Sequence, residues 1–416
     1  MFNLLRRKGI TFLGLSSTIS QLGDRLTHMV IITLIGVMFP GRISAFSQFA
    51  LTWSLPVVIL SPFAGVLIDH WNKRTIIFRC HIIQSIIIIL TPIFVSITHS
   101  IIPIWILVIL FFSLDLFNNA SKNVVVPDLV SYDELVPANS LLITLARIAT
   151  FIGMVGGGYL IRWVGWQLGF YIDASTHCIA GILVLFIGSK ALFSPAKKFD
   201  FYLSKELKKS LYRFFADLKE LGVLLTKDRA VIFVMISVFT LPFVAAVSYT
   251  ILIFLVQQTF GLGTAGVGWF GGIIGIGMLI GGILMGIFGK HINRGKIIIF
   301  SIAILAFFFS GGSIFATPIF LYIIAFISGT LFSFVGISQD TILQEDVLKE
   351  IRGRIFATKE FLINLTIVFS ALFFGIISKY YAPFSIIRGV GIFLLFVMLS
   401  ALFIYRSIPH EIRSKL

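Results

Sequence analysis

The 416-residue chain carries few ionisable side chains inside its long apolar runs, and several of them recur at helical spacing. Asp24, Arg25 and His28 fall in QLGDRLTH, Asp115 and Asn119 in SLDLFNN, Arg147 in LARIAT, and Asp173 and His177 in FYIDASTH. A step of four places Asp24 with His28, Asp115 with Asn119, and Asp173 with His177 on one helix face each. An ionisable group within a membrane-length apolar run costs several kcal/mol unless it has a partner or lines a wet cavity. Two chemistries suit Asp24 and Asp115: exchange of a proton near neutral pH, or binding of a cationic amine. The alternative for Asp24 is a structural cluster in which Arg25 or Arg147 neutralises it. Arg147, about two turns into its run, needs a carboxylate, and Asp24 and Asp115 are the candidates. Asp173 and His177 are expected to be structural and close to the outer surface.

The elements that must hold these residues are membrane spans. Hydrophobic residues make up 58% of the chain and charged residues 12%, against roughly half and about a quarter in soluble domains. Apolar runs of ~20 residues, enough to cross ~30 Å of hydrocarbon, predict twelve spans at 11–39, 45–68, 75–97, 102–122, 140–162, 167–189, 229–259, 266–289, 296–315, 318–338, 356–378 and 384–405. The net charge of +15 is a topology signal, because 27 of the 33 Lys and Arg lie in the ends and loops on the N-terminal side of this pattern. The other side holds Arg42, Arg162, Lys379 and Arg388. Both termini are therefore expected in the cytoplasm, and nucleic acid is not a partner. MFNLLRRKG precedes a run too long for a secretory signal and containing Asp24 and Arg25, so it predicts a retained first span. Cys80 and Cys178 fall in different spans; neither a disulfide nor a metal cluster is expected from them.

The predicted organisation is a six-span bundle at 1–189, a cytoplasmic linker at 190–228 and a second bundle at 229–416. Within the linker, Leu207, Leu211, Phe214, Leu218, Leu221 and Leu225 alternate by fours and threes, with Lys205, Lys208, Lys209, Arg213 and Lys219 elsewhere. That pattern predicts an amphipathic helix resting on the bilayer. The halves echo one another. GVLIDHWNKR at 65–74 and GIFGKHINRGK at 286–296 align at an offset of 221, matching Gly65 to Gly286, His70 to His291, Asn72 to Asn293 and Lys73 to Arg294. Six plus six spans with parallel repeats is a known transporter architecture.

Residues 65–74 resemble the G-x-x-x-D-R-x-G-R-R/K loop of the major facilitator superfamily, with Gly65, Asp69, Lys73 and Arg74 at motif positions and His70 and Asn72 in place of Arg and Gly. The resemblance implies an all-α integral membrane fold of twelve transmembrane helices in two six-helix repeats. It also implies a cytoplasmic gate network around Asp69, Lys73 and Arg74, echoed by Lys290 and Arg294. Residues 118–158, with Pro127, Asp128, Glu134, Ala138 and Asn139, resemble the drug:proton antiporter branch that contains macrolide efflux pumps, as do QLGDRLTH, FYIDAS and LQEDVLKEIRGRIFA. In that branch span five usually reads G-P-x-x-G-G; here it is GMVGG, with Met154 in place of the proline. Gly153, Gly156 and Gly157 are left for close helix contact. Spans one, four, seven and ten line the cavity of the family fold, which singles out Asp24 and Asp115. Phe239, Phe243 and Tyr249 in span seven and Phe332 and Phe334 in span ten are candidate cavity walls.

Enzyme signatures fail. GLGTAG at 261–266 lies between two spans with no strand before it, and GKHINRGK lacks the spacing and hydroxyl of a P-loop. No cofactor is expected, and with no ATPase domain transport must draw on an ion gradient. The resulting expectation is a monomeric exporter in the cell membrane that moves a small amphiphilic, macrolide-type compound against protons. A siderophore exporter, a lysophospholipid transporter and a divalent-metal exporter using Asp24 are the rivals.

Overall fold

A computed structural model describes residues 7–70, 72–131, 134–188, parts of 208–219, 229–289, 292–311, 317–346 and 349–409. Among these residues the protein is entirely helical. The first half runs α1 (Lys8–Met38), α2 (Ile43–His70), α3 (Lys73–Thr98), α4 (Ile102–Leu129) and α5 (Leu135–Val184). The second runs α6 (Arg229–Val238), α7 (Thr240–Val247), two π-helical turns (Ser248–Leu252 and Leu255–Thr259), α8 (Gly263–Phe288), α9 (Arg294–Gly311), α10 (Pro318–Asp346), α11 (Lys349–Ile377) and α12 (Pro383–Ser407). Among the described residues, ten stretches are long and apolar enough to cross a membrane. One of them, Leu141–Val184, has the length of two spans, and α1, with Asp24, Arg25 and His28 at its middle, is not among the ten.

The expected spans five and six are fused. Gly165 is the one non-helical residue inside α5, with φ 79° and ψ 170°, a region that favours glycine. The chain reverses there. Side chains on both limbs flank the same stretch of α1: Gly153 and Asp173 lie beside Leu22–Arg25, and Gly157 and Gly169 beside Leu26–Val30. α5 is thus a helical hairpin with a one-residue turn where the sequence suggested a loop. Span four also differs from expectation. It continues through Lys122, Pro127 and Asp128 to Leu129, so Lys122 lies within a helix and not at a loop edge. Span seven is continuous but locally widened into its two π turns, with Phe260 N–H donating to Leu255 O at 2.9 Å.

Two compact units emerge. One comprises Met1–Pro40, Leu55–Tyr212 and Leu262–Gly272; the other comprises Gly41–Ser54, Arg213–Gly261 and Ile273–Leu416. The start of α2 thus belongs with the second half and the start of α8 with the first. In the first unit Ile10, Leu13, Ile77, Val125, Leu141 and Val184 form a buried cluster; in the second, Phe233, Ile298, Ile302, Val335, Leu343 and Tyr405 do so. Of the GMVGG stretch, Gly153 and Gly157 face α1, while Gly156 faces open space. The following Gly158 lies against Thr264 and Ala265 of α8, within the same unit. The expected linker helix falls mostly outside the described residues.

The duplicated turn has a local cause. Asn72 Oδ1 accepts the Thr75 backbone N–H at 3.0 Å, capping α3, and Asn293 Oδ1 accepts that of Lys296 at 2.9 Å, capping α9. These are the same bond at both ends of the 221-residue offset, and asparagine is a preferred residue for it. Asn293 also accepts the Tyr405 hydroxyl at 2.8 Å.

Candidate functional site

Four helices of the first unit bring their polar residues together. The contact begins with Gly23 of α1, where a Cβ would strike the Asp173 carboxylate and the Thr176 hydroxyl. Its absence lets the second limb of α5 approach the next residue, Asp24. There His177 Nε2 meets Asp24 Oδ1 at 3.0 Å and Asp173 Oδ1 at 3.6 Å. The His177 and Asp173 side chains are 1% and 0% exposed, whereas Asp24 keeps 19%. Thr176 Oγ1 donates to Asp173 Oδ1 at 3.2 Å.

On its other side His177 Nδ1 lies 3.1 Å from Nδ1 of His81, on α3. His81 is fully buried, and its Nε2 faces Asn118 Nδ2 of α4 at 3.4 Å. The pair is held from several directions. Phe111 meets the His177 ring edge to face at 5.3 Å, Ser85 Oγ of α3 donates to Ala174 O at 2.7 Å, and Ser16 Oγ of α1 donates to Ala180 O at 2.9 Å.

The expected residues divide. Asp115 and Asn119 do share a face, joined by Asn119 Nδ2 to Asp115 Oδ2 at 2.9 Å, and Asp115 interacts electrostatically with Asp24, Lys122, His177 and Arg25. His28 is buried and turns its ring edge to Phe112 of α4 at 6.4 Å. Arg147 makes no ion pair with Asp24 or Asp115 among the described residues; the charge acting on it is that of Arg25. The structural cluster in which Arg25 or Arg147 pairs with Asp24 does not form among them. Arg25 Nε is buried without a hydrogen-bond partner. Asp173 and His177, expected near the outer surface, lie level with the middle of α1 against Asp24. Sequence reasoning missed His81 and Asn118, and their only signal was a polar residue within an apolar run.

The gate motif is described in part. Gly65 and Asp69 are on the last turns of α2, whose side chains lie outside the described residues, as does Lys290. Arg74 donates from Nε to Val184 O at 3.2 Å and from Nη2 to Leu185 O, so this motif cation closes the C-terminus of α5, where exposed carbonyls favour positive charge. Lys73 and Arg294 begin α3 and α9. Nearby, Arg7 Nη2 meets Glu134 Oε1 at 2.8 Å, and the Ser131 hydroxyl meets Glu134 Oε2 at 2.6 Å. The Ser131 hydroxyl, then its N–H, and Arg7 hold the Glu134 carboxyl below the usual carboxylate range.

In the second unit Phe243 packs between Phe374 and Phe393, with centroids at 5.4 and 4.8 Å. Tyr249, in the first π turn, meets Trp53 at 5.5 Å. Phe239 is exposed, Phe334 is half-buried and Phe332 packs on the Phe233 cluster. Lys359 pairs with Asp340. Cys80 and Cys178 are free thiols. One residue group among the described residues offers metal-ligand chemistry: Asp24, Asp173 and His177 present one ligand atom each, all within 4.8 Å of one another.

An all-helical protein of membrane-length segments, with ionisable groups gathered inside one bundle, has a build that membrane transporters share. Residues 13–365 match the model of the Major Facilitator Superfamily, and the chain belongs to that family. The putative bacilysin exporter BacE of Bacillus subtilis is 26% identical over 86% of this chain and 84% of its own. Macrolide efflux protein A of Streptococcus pyogenes is 24% identical over 80% and 81%. Among solved structures, the nucleoside transporter NupG superposes with a TM-score of 0.69 at 13% identity, covering 95% of this chain and 98% of that one. A bacterial homologue of the iron transporter ferroportin, in its inward-facing state, gives 0.69 at 14%, covering 97% and 98%. These likenesses to solved structures concern the fold.

Proposed function

We propose that the protein exports an amphiphilic, macrolide-type compound across the cell membrane in exchange for protons, by alternating access of two six-helix halves joined at residues 190–228, with both termini cytoplasmic, as a monomer. The observation that carries this reading is Asp24: a partly exposed carboxylate at mid-span, hydrogen-bonded to the buried His177 and within electrostatic reach of Asp115. Such a carboxylate can take a proton or a substrate ammonium in turn. The relatives named as macrolide and bacilysin exporters support export and the macrolide class. Asp24 and Asp115 carry the exchanged charge. Arg25, whose Nε is buried without a hydrogen-bond partner, sets the local potential.

A pH-quenched dye in energised inverted vesicles tests this. Erythromycin releases protons from the lumen of wild-type vesicles, and Asp24→Asn abolishes the response. Erythromycin-driven release that persists undiminished in Asp24→Asn removes Asp24 from the coupling step.

One observation favours a second reading, export of a divalent cation, because Asp24, Asp173 and His177 supply a carboxylate–carboxylate–imidazole set. Replacing erythromycin by manganese chloride in the same vesicles separates the two.

A further inference from the structure

Two arginines stand inside the first unit with no acid paired to them. Arg25, at the middle of α1, is half-buried, and its Nε is buried without a hydrogen-bond partner. Arg147, on the first limb of α5, is exposed. Neither makes a salt bridge among the described residues, and the charge acting on Arg147 there is that of Arg25. A missing side chain lets the helices come this close: a Cβ at Gly153 would lie 2.8 Å from Arg25 Cβ and 3.0 Å from Leu22 O. Further toward the start of both helices Gly14 packs on Leu142 and Leu145. Arg147 falls between these two levels, within roughly two turns of Arg25 along α1.

A guanidinium offers donors only, and its charge does not titrate away in proteins. Inside a span such a group is costly unless it has a partner or lines a wet cavity, and two of them in range of one another also repel. Asp24 and Asp115 do not settle the imbalance. Asp24 is bonded to His177 and Asp115 to Asn119, and Arg25 is the arginine that acts on Asp115. The acids therefore gather on one side of Arg25 and Arg147 stands on the other. Consecutive residues project about 100° apart around a helix, so Asp24 and Arg25 serve neighbouring sectors of α1. What fits two forked donors is a planar anion with paired oxygens, which they bind bidentately.

We propose that Arg25 and Arg147 form an anion subsite that takes the carboxylate of an amphoteric substrate whose ammonium lies at Asp24. The substrate class is then an amphiphile bearing both charges, which is wider than the macrolides. This goes beyond the antiport reading and rests on it for the ammonium at Asp24 and the direction of transport. An anionic lipid headgroup carries similar oxygens, and the test distinguishes that source from a substrate.

Ciprofloxacin, with a piperazine ammonium and a carboxylate, and its methyl ester, which keeps the amine alone, are titrated calorimetrically into the full chain in phosphatidylcholine nanodiscs. The readout is the preference for acid over ester in the wild type divided by that in Arg147→Gln, so that partition of either compound into the bilayer cancels. It should be about tenfold or more, with the ester bound alike by both proteins. A ratio of one overturns the subsite. If Arg147→Gln loses the ester as well, Arg147→Lys decides: an ammonium lacks the fork, so the preference should fall, and a wild-type preference there overturns the proposal. In nanodiscs containing phosphatidylglycerol an unchanged ratio supports a substrate site, whereas collapse to one gives the arginines to a lipid headgroup and overturns it. A wild type that prefers the acid but binds no erythromycin upholds the subsite and sinks the macrolide reading. Erythromycin-driven proton release together with a ratio of one does the reverse.

Discussion

The two units are built on one repeat, yet they differ in what they hold at mid-span. In the first, α1, α3, α4 and the second limb of α5 meet around Asp24, His81, Asn118, Asp173 and His177. In the second, the corresponding depth carries aromatic side chains and amides: Phe243 between Phe374 and Phe393, and Gln339 donating to Ser237 Oγ at 3.0 Å. Among the described residues it also pairs Lys359 of α11 with Asp340 of α10. The two halves share the asparagine cap at Asn72 and Asn293, while their interiors differ. Under the proposed antiport the difference would place ion handling in the first unit and apolar contact in the second, a division of labour open to direct attack.

The largest effect should come from Asp24→Asn. One proton exchanged for one substrate ammonium moves no net charge, so a pH difference of about one unit sustains about a tenfold concentration ratio. The variant should lose that ratio in an uphill erythromycin uptake assay in inverted vesicles, yet retain downhill flux. Next is Gly23→Ala, whose Cβ would strike Asp173 and Thr176. Overpacking of this kind costs ~1–3 kcal/mol, so a lower melting temperature and weaker coupling should appear together. If neither moves, α1 and α5 are not held as close as described. On the other side of the comparison, Lys359→Met should leave proton coupling intact with a modest change in melting temperature, since methionine fills the space of the buried lysine stem and Asp340 is half exposed. Loss of coupling there would erase the contrast between the units.

The smallest effect concerns Glu134. Its carboxyl is depressed by Ser131 and Arg7, so the tie it makes is present above the ordinary glutamate range and fades as pH falls through its folded value. The melting temperature of Glu134→Gln should converge on that of wild type in acid and lie slightly below it at neutral pH.

Much of the scaffold was legible in the sequence because lipid imposes length and apolarity on every span. The repeated asparagine was visible as a pattern, although its reason, the N-cap, came only with the backbone. Asp24 and Asp115 stood out because charges are rare in such runs. His81 and Asn118 did not, because their partners lie on other spans and a pairing 37 residues apart leaves no local period. The depth of Asp173 was misjudged for a related reason. Its level is set by packing against Gly23 and Asp24 of α1, another pairing across spans, while the loop expected at 163–166 reduces to a single glycine of positive φ.

That one-residue reversal also bears on how the protein is made. With no polar segment between its limbs, α5 offers the insertion machinery nowhere to pause between them, so the two helices should enter the bilayer as one object. Trp163, Trp166 and Arg162 at the bend are the kinds of residue that settle at an interface. They would stop the hairpin at a fixed depth before its partners on α1 and α3 have been found. His177 then reaches the lipid already placed opposite the level where Asp24 waits, and the cluster is completed by lateral docking of preformed helices, with no side chain of it having to cross the membrane alone.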